Sequence, residues 1–208
     1  MVETNNKERR AMQATTGDNG GELTSDEELQ RIRVGELMPH NAPITLVNYD
    51  PEWPQLFAHE ADRIRAVLGE AALQVEHVGS TSVPGLIAKP IIDMLLVVPD
   101  SAHEPSYVPA LEGAGYLLRV REPDWYEHRL FKSPDNTINL HVFSAGAAEI
   151  ARMLRFRDWL RATPVDRDHY AAVKRDLARR TWRHVQHYAN AKTAAIHEIM
   201  DRAERQRS

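Results

Sequence analysis

Apolar residues recur along this chain with two periods, and the switches between them divide it. Trp53, Leu56, Phe57, Ile64, Val67 and Leu68 fall at the spacings of an amphipathic helix, which Gly69 closes. Asp50 suits an N-cap and Pro51 a first helical position, so the helix is expected to begin there. From position 73 the pattern becomes that of strands. Residues 73–80 run into a Gly-Ser turn, and residues 91–98 are nearly all aliphatic between Pro90 and Pro99. Further strands are expected at 116–120, 127–132 and 137–144, with a short helix near 108–113 and a turn at Ser133-Pro134-Asp135-Asn136. From Ala147 the helical period returns in three stripes: Ile150, Met153, Leu154 and Leu160; Tyr170, Val173 and Leu177; and Val185, Tyr188, Lys192, Ala195, Ile196 and Ile199. The order predicts an α+β domain: a mixed sheet of about five strands packed with helices, then a helical carboxyl half.

Ahead of position 42 no period is visible. Residues 1–41 are expected to form a disordered or loosely attached extension. One short helix is expected at 25–33, where Ser25 caps and Glu28 completes a capping box. A single domain should then span 42–204, its sheet portion ending near 145 and its helical portion covering about 146–204. It opens on the strand-like run Ile44-Thr45-Leu46-Val47.

Composition narrows the functional classes. The 208 residues, 42% hydrophobic and 27% charged, suffice for one well-cored domain. Without cysteine there is neither a disulfide nor a thiolate metal site. The first 21 residues lack an apolar signal stretch, and no run approaches the roughly 20 apolar residues of a membrane span. A cytoplasmic protein without a membrane partner is expected. The net charge of −4 argues against a general nucleic-acid binder. Yet residues 150–192 hold eleven Lys/Arg against four Asp, a local excess suited to phosphate-bearing partners. The plainer expectation is helices whose basic side chains face water. Trp159, Tyr170, Trp182 and Tyr188 lie among those bases, and at helical spacing such aromatics more often dock helices than stack on nucleotides.

Asp93 is the most informative residue. A carboxylate inside Ile91-Ile92-Asp93-Met94-Leu95-Leu96-Val97-Val98 is costly unless cations or donors compensate it, and Lys89 lies four residues upstream. Gly79, Ser80, Thr81 and Ser82 end the preceding strand in a turn whose N–H groups and hydroxyls suit a phosphate. His77, Asp93, His128 and His141 include candidate ligands for Zn²⁺, Mn²⁺ or Fe²⁺, with a His77, Asp93 and His141 set requiring three strands to converge. Each histidine taken alone has a structural alternative. Glu127-His128-Arg129 offers an acid, a base and a cation. Alternation would send Glu127 and Arg129 to one face, where Arg129 could grip a phosphate, and His128 to the other.

Taken together, Tyr49-Asp50-Pro51-Glu52-Trp53-Pro54, the run from Glu76 to Leu86, Lys89-Pro90-Ile91-Ile92-Asp93, Glu127-His128-Arg129 and Asn139-Leu140-His141-Val142 resemble the GrpB family. Phe156-Arg157-Asp158-Trp159-Leu160-Arg161 and Tyr188-Ala189-Asn190-Ala191-Lys192 extend the resemblance, which covers about 43–202. It implies a nucleotidyltransferase-superfamily fold. In active members of that superfamily the Gly-Ser turn holds a nucleoside triphosphate, and two acids two residues apart, with a third on a later strand, bind two magnesium ions. Carried over, Gly79, Ser80, Thr81, Ser82, Lys89 and Arg129 become candidate substrate-binding residues. Asp93, His141, Glu127 and His128 become candidate catalytic ones. Mg²⁺ or Mn²⁺ is the implied metal, ahead of Zn²⁺. The chain departs from the pattern at Leu95, where the second acid would stand, and at Asn139 and His141 on the later strand. Three functions follow: nucleotidyl transfer from a nucleoside triphosphate to an acceptor, nucleotide or coenzyme binding without turnover, and RNA contact through the basic helices.

Overall fold

The computed structural model describes residues 25–206, and the expectation for residues 1–24 lies outside them. Five strands form one mixed sheet: β1 (Gln74–Val78), β2 (Ile92–Val98), β3 (Leu117–Glu122), β4 (His128–Lys132) and β5 (Ile138–Ser144). Their order is β1-β2-β5-β4-β3. The two central strands, β2 and β5, run parallel, and every other pair is antiparallel.

Register decides which side chains share a face, because alternate residues of a strand point oppositely. Asp93 lies beside Asn139 and Leu95 beside His141, while Leu130 and Lys132 of β4 oppose His141 and Asn139. All six stand on one face. The opposite face carries Ile92, Met94, Leu96, Val98, Phe131, Leu140 and Val142 in the main apolar cluster. Helices α2 (Trp53–Leu68) and α3 (Val108–Gly113) cover it, contributing Ile64, Leu68 and Leu111.

The Asp93 face is divided along its length. At one end Val78, Leu95, Val97, Trp125 and Phe143 pack under Ile150, Met153 and Leu154 of α4 (Ala148–Ala162). The other end stays polar and open. Beyond α4 come α5 (Pro164–Ala178), α6 (Val185–Ala191) and α7 (Thr193–Arg205). Leu160 of α4, Tyr170 and Ala171 of α5 and Ala195 and Ile199 of α7 close a second core with Val83, Leu86 and Ile87 from the loop after β1, and Tyr188 of α6 joins a third with Ile44 and Trp182. Among the described residues no helix is long and apolar enough to cross a membrane.

Several local expectations need correction. Helix α2 begins at Trp53, capped by Glu52, because the Asp50 carboxylate accepts from the Glu52 N–H at 2.9 Å in a turn just before it. Ile44-Thr45-Leu46-Val47 adds no strand to the sheet; Val47 makes one bridge to Ala88, and the Ile44 N–H donates to the Ala178 carbonyl. Helix α1 (Asp26–Ile32) has the expected capping box. The stretch after it is tied down, since Val34 N–H donates to Arg119 O and His40 N–H to Arg183 O. The bases of the carboxyl helices are not all turned to water. Lys174 is buried, and Arg157 and Arg161 reach backbone carbonyls of the β1 turn. Trp159 donates to Asp166 Oδ2 at 2.6 Å and Trp182 to Leu177 O at 2.8 Å, so both dock helices.

Candidate functional site

The polar end of the sheet opens into a cavity of about 450 Å³. Its floor is β2 and β5, with Asp93, Asn139 and His141. One wall is the Gly79–Ser80–Thr81 turn, the second is α5 and α6 with Lys174, Tyr188 and Lys192, and the third is the amino-terminal segment.

The turn is held from behind by groups that sequence reasoning assigned to the ligand or to solvent. Gly79 adopts φ 68, ψ −169, a conformation open to glycine. His77 and Thr81 bond at 3.0 Å, and Ser82 Oγ donates to Gly79 O at 2.6 Å, so those two hydroxyls shape the turn. Arg157 donates to His77 O at 3.0 Å and Arg161 to Ser82 O at 2.9 Å. Lys174 Nζ donates to Ser80 Oγ at 2.9 Å and to the Ile87 carbonyl. Gly79, Ser80 and Thr81 line the cavity, whereas Ser82 stands behind them.

Charge is the dominant feature. Arg33, Lys89, Lys132, Lys174 and Lys192 all line the cavity, and Asp93 is the one carboxylate among its lining residues. Burial pushes Lys174 down to about 6, with Lys192 adding repulsion and Asp93 opposing it. Lys192 falls to about 8 through burial and the nearby Lys89, with Asp93 again opposing. Lys89 and Lys132 are lowered first by burial too. Burial would raise the Asp93 carboxyl, but His141, Asn139 and Lys89 together hold it below the usual carboxylate range. Its side chain keeps 30% of its surface open, because it faces a concavity walled by protein. Four buried polar atoms of residues lining this cavity have no hydrogen-bond partner: Arg33 Nε, Asn139 Oδ1, His184 Nδ1 and Tyr188 OH.

A chain of side chains runs in from the sheet edge. Glu122 Oε2 lies 2.6 Å from His128 Nδ1, His128 Nε2 lies 3.1 Å from His141 Nδ1, and His141 Nε2 lies 3.9 Å from Asp93 Oδ1. The last gap exceeds a hydrogen bond but permits a charge pair. Burial lowers His128 to about 4 against the pull of Glu122. It is therefore neutral near pH 7.

The remaining candidates lie apart. Glu127 precedes β4 in a left-handed conformation, φ 51, so the expected alternation does not begin there. Arg129 opposes Val142 on the α2 face, where it binds Glu104 Oε1 at 2.7 Å and the Glu127 carboxylate at 3.3 Å. His77 opposes Met94, also on that face, and stacks on Phe57 with centroids 4.8 Å apart. The convergence needed for a His77, Asp93 and His141 metal set is therefore missing. Among the described residues no three His, Cys, Asp or Glu are gathered to hold a metal. Leu95 is fully buried beneath α4 where a second acid would stand. One carboxylate and the free Asn139 Oδ1 supply too few hard oxygens for a two-ion magnesium centre, and five basic side chains line the same cavity. A two-metal arrangement does not fit these residues.

Lys132, Lys174, Lys192 and Arg33 were not singled out for the site from the sequence. The one available signal was Lys192 on the apolar stripe of Val185, Tyr188 and Ile196, where a buried lysine needs a reason.

Fold and site together define an α+β domain with a mixed five-stranded sheet and a basic cleft. The model of the GrpB protein family matches residues 43–202, and the chain belongs to that family. It is 70% identical over 179 residues to UPF0157 protein BH1888 of Halalkalibacterium halodurans, an alignment spanning 86% of this chain and 92% of the relative. The crystal structure of GrpB from Enterococcus faecalis is similar at 33% identity and a TM-score of 0.69, over 78% of this chain and 98% of that one. Cid1 poly(U) polymerase bound to MgATP is similar at 11% identity and a TM-score of 0.40, over 72% and 47% of the two chains, too loose a likeness to transfer residue roles.

Proposed function

We propose that this GrpB-family chain binds a nucleoside polyphosphate, with the phosphates among Lys89, Lys132, Lys174 and Lys192 at the Gly79–Ser80 turn. The observation that carries this is five basic side chains against one carboxylate in a single cavity. Charging several basic groups side by side in a concavity is costly, and a polyanion would offset that cost. Lysines depressed to about 6 and 8 would regain protons beside phosphate, strengthening the attraction. Lys174 links ligand to fold, since it holds Ser80 Oγ and Ile87 O at the same time. The basic helices support an RNA-binding role less well, because Lys174 and Lys192 point into the cavity and Arg157 and Arg161 are spent on the turn.

A second reading, nucleotidyl transfer to an acceptor, is favoured by one specific relationship: Asp93 sits directly under the phosphate turn, with His141 3.9 Å away. In that reading, Asp93 and His141 Nε2 would receive the proton of an acceptor hydroxyl. Without the acids of a two-metal centre, no metal-dependent step is assigned.

Calorimetric titration with ATP, GTP, CTP and UTP, in EDTA and then with Mg²⁺ or Mn²⁺, tests both readings. Binding that persists in EDTA, tightens in Asp93→Asn and fails in Lys192→Met supports lysine-held phosphates. Release of pyrophosphate from a bound nucleotide in the presence of an acceptor, lost in Asp93→Asn, supports the transfer reading instead. If no nucleotide binds in any condition, both readings fail.

A further inference from the structure

The cavity is closed on its third side by residues that precede the sheet. Leu29, Ile32, Arg33, Leu37 and Met38 all line it. They belong to α1 and the extended stretch after it. This stretch crosses from the β3 edge, where Arg33 bridges Val120, to the α5–α6 region, where Ala42 bridges Trp182. At the start of α1, Asp26 pairs with Arg183 and lies 3.0 Å from His184 Nε2. The segment is thus a strap, fixed to two different parts of the domain.

We infer that this strap is part of the ligand site: Arg33 contacts the phosphates, and Leu29, Ile32, Leu37 and Met38 cover the nucleoside. The inference rests on the nucleotide-binding reading above and extends it to a segment outside the family-matched residues 43–202. Two independent observations support it. Arg33 forms no ion pair with any carboxylate of the described residues, and its Nε is buried without a partner beside an otherwise lysine-lined space. A guanidinium left this way costs free energy until an anion arrives, and its planar fork suits phosphate. The second observation is composition. The strap brings Leu29, Ile32, Leu37 and Met38 to a cavity that also holds Lys89 and Lys132, with Arg33 beside Lys132, so apolar and cationic surfaces meet in one site, as a molecule with a flat apolar base and a charged phosphate tail requires.

The strap's middle is its weak point. Between Val34, which donates to Arg119 O, and His40, which donates to Arg183 O, the contacts at Gly35 and Leu37 are to the Gln30 side chain. Gly35 takes φ 92, and Met38 is 69% exposed. Such a stretch opens locally at little cost, and a ligand gripped by Arg33 would suppress that opening.

Hydrogen exchange across residues 25–47 should be followed with inorganic tripolyphosphate, with ATP and with adenosine, alongside affinities for wild type, Arg33→Ala, Arg33→Lys and Leu37→Ser. Thermal unfolding of each variant confirms that the fold persists. The expected result is slower exchange at 33–39 with both phosphate-bearing probes. Arg33→Ala should weaken both by at least about tenfold, about 1.4 kcal/mol, with partial recovery in Arg33→Lys. Leu37→Ser should cost ATP more than tripolyphosphate. If ATP binds while exchange in the strap is unchanged and Arg33→Ala keeps full affinity, the strap is only structural and this inference falls, leaving the nucleotide site standing. If neither tripolyphosphate nor ATP binds wild type, both fall together.

Discussion

Gly79 and Asp93 meet so closely at the β1–β2 pair that a β-carbon on residue 79 would stand 2.8 Å from that of Asp93 and collide with its Oδ2. Gly79 also holds φ 68, where side chains are strained. The Gly79–Ser80 turn and the cavity's carboxylate are therefore packed as one unit, and glycine is a steric requirement there rather than a source of flexibility.

Gly79→Ala should accordingly lose stability from two sources. Backbone strain costs about 1–3 kcal/mol and overpacking against Asp93 about as much again. A loss of about 2–5 kcal/mol is expected in denaturant unfolding. An unchanged midpoint would contradict the close approach.

Ligand binding should take up protons. Lys174 at about 6 and Lys192 at about 8 are wholly or partly neutral in the free protein at pH 8. A polyphosphate beside them raises both values, so affinity should decline as pH rises from 6 to 9. Calorimetry in buffers of different ionisation enthalpy reads the uptake directly, and Lys192→Met should reduce it. Zero uptake would remove these lysines from the phosphate site.

Acid should destabilise the fold early. His77 and His128 are both lowered from the ordinary 6.5 to about 4, each first by burial. Between those values the unfolded chain binds more protons than the folded one, so stability falls as pH drops from 6.5 towards 4 and is retained above 6.5. His77→Phe preserves the stack on Phe57 and removes one titrating group. Its stability-against-pH curve should be flatter than that of wild type across that window, even if its value at pH 7 is lower.

Arg129→Ala should separate fold from site. Arg129 lies on the α2 face with its guanidinium bound to Glu104 and Glu127. Removing a buried partner commonly costs about 3–5 kcal/mol, and Arg121, 2.7 Å from Glu104, should keep the loss near or below the lower end. Nucleotide affinity, measured where the variant is folded, should match wild type. A large loss of affinity would place Arg129 in the site after all.

The legibility of this protein was uneven for physical reasons. Asp93 could be read because a lone carboxylate in an aliphatic run is improbable unless something compensates it, and that something is His141, Asn139 and Lys89 together. Arg129 was expected to face away from His128, and it does; which of the two faces holds the cavity is set by the register with β5, which pairs Arg129 with Val142 on the other face. His77 was grouped with Asp93 by proximity in sequence, yet the antiparallel register with β2 sends it to the other face. Lys174 sits in an ordinary amphipathic helix, and nothing within four residues of it announces Ser80 or Ile87, which lie 94 and 87 positions away.

The sequence by itself determined the α+β order, the glycine turn after β1, the carboxylate within β2 and the family, because each depends on neighbours within one element or on motifs read directly. Only the tertiary structure decided which charges share a cavity. Strand register chose the faces, helix docking buried Lys174 and set Lys192 half-buried at the same cavity, and the strap brought Arg33 from outside the family-matched region. Electrostatic energy depends on distance through space and on burial, and neither is encoded at short range along the chain.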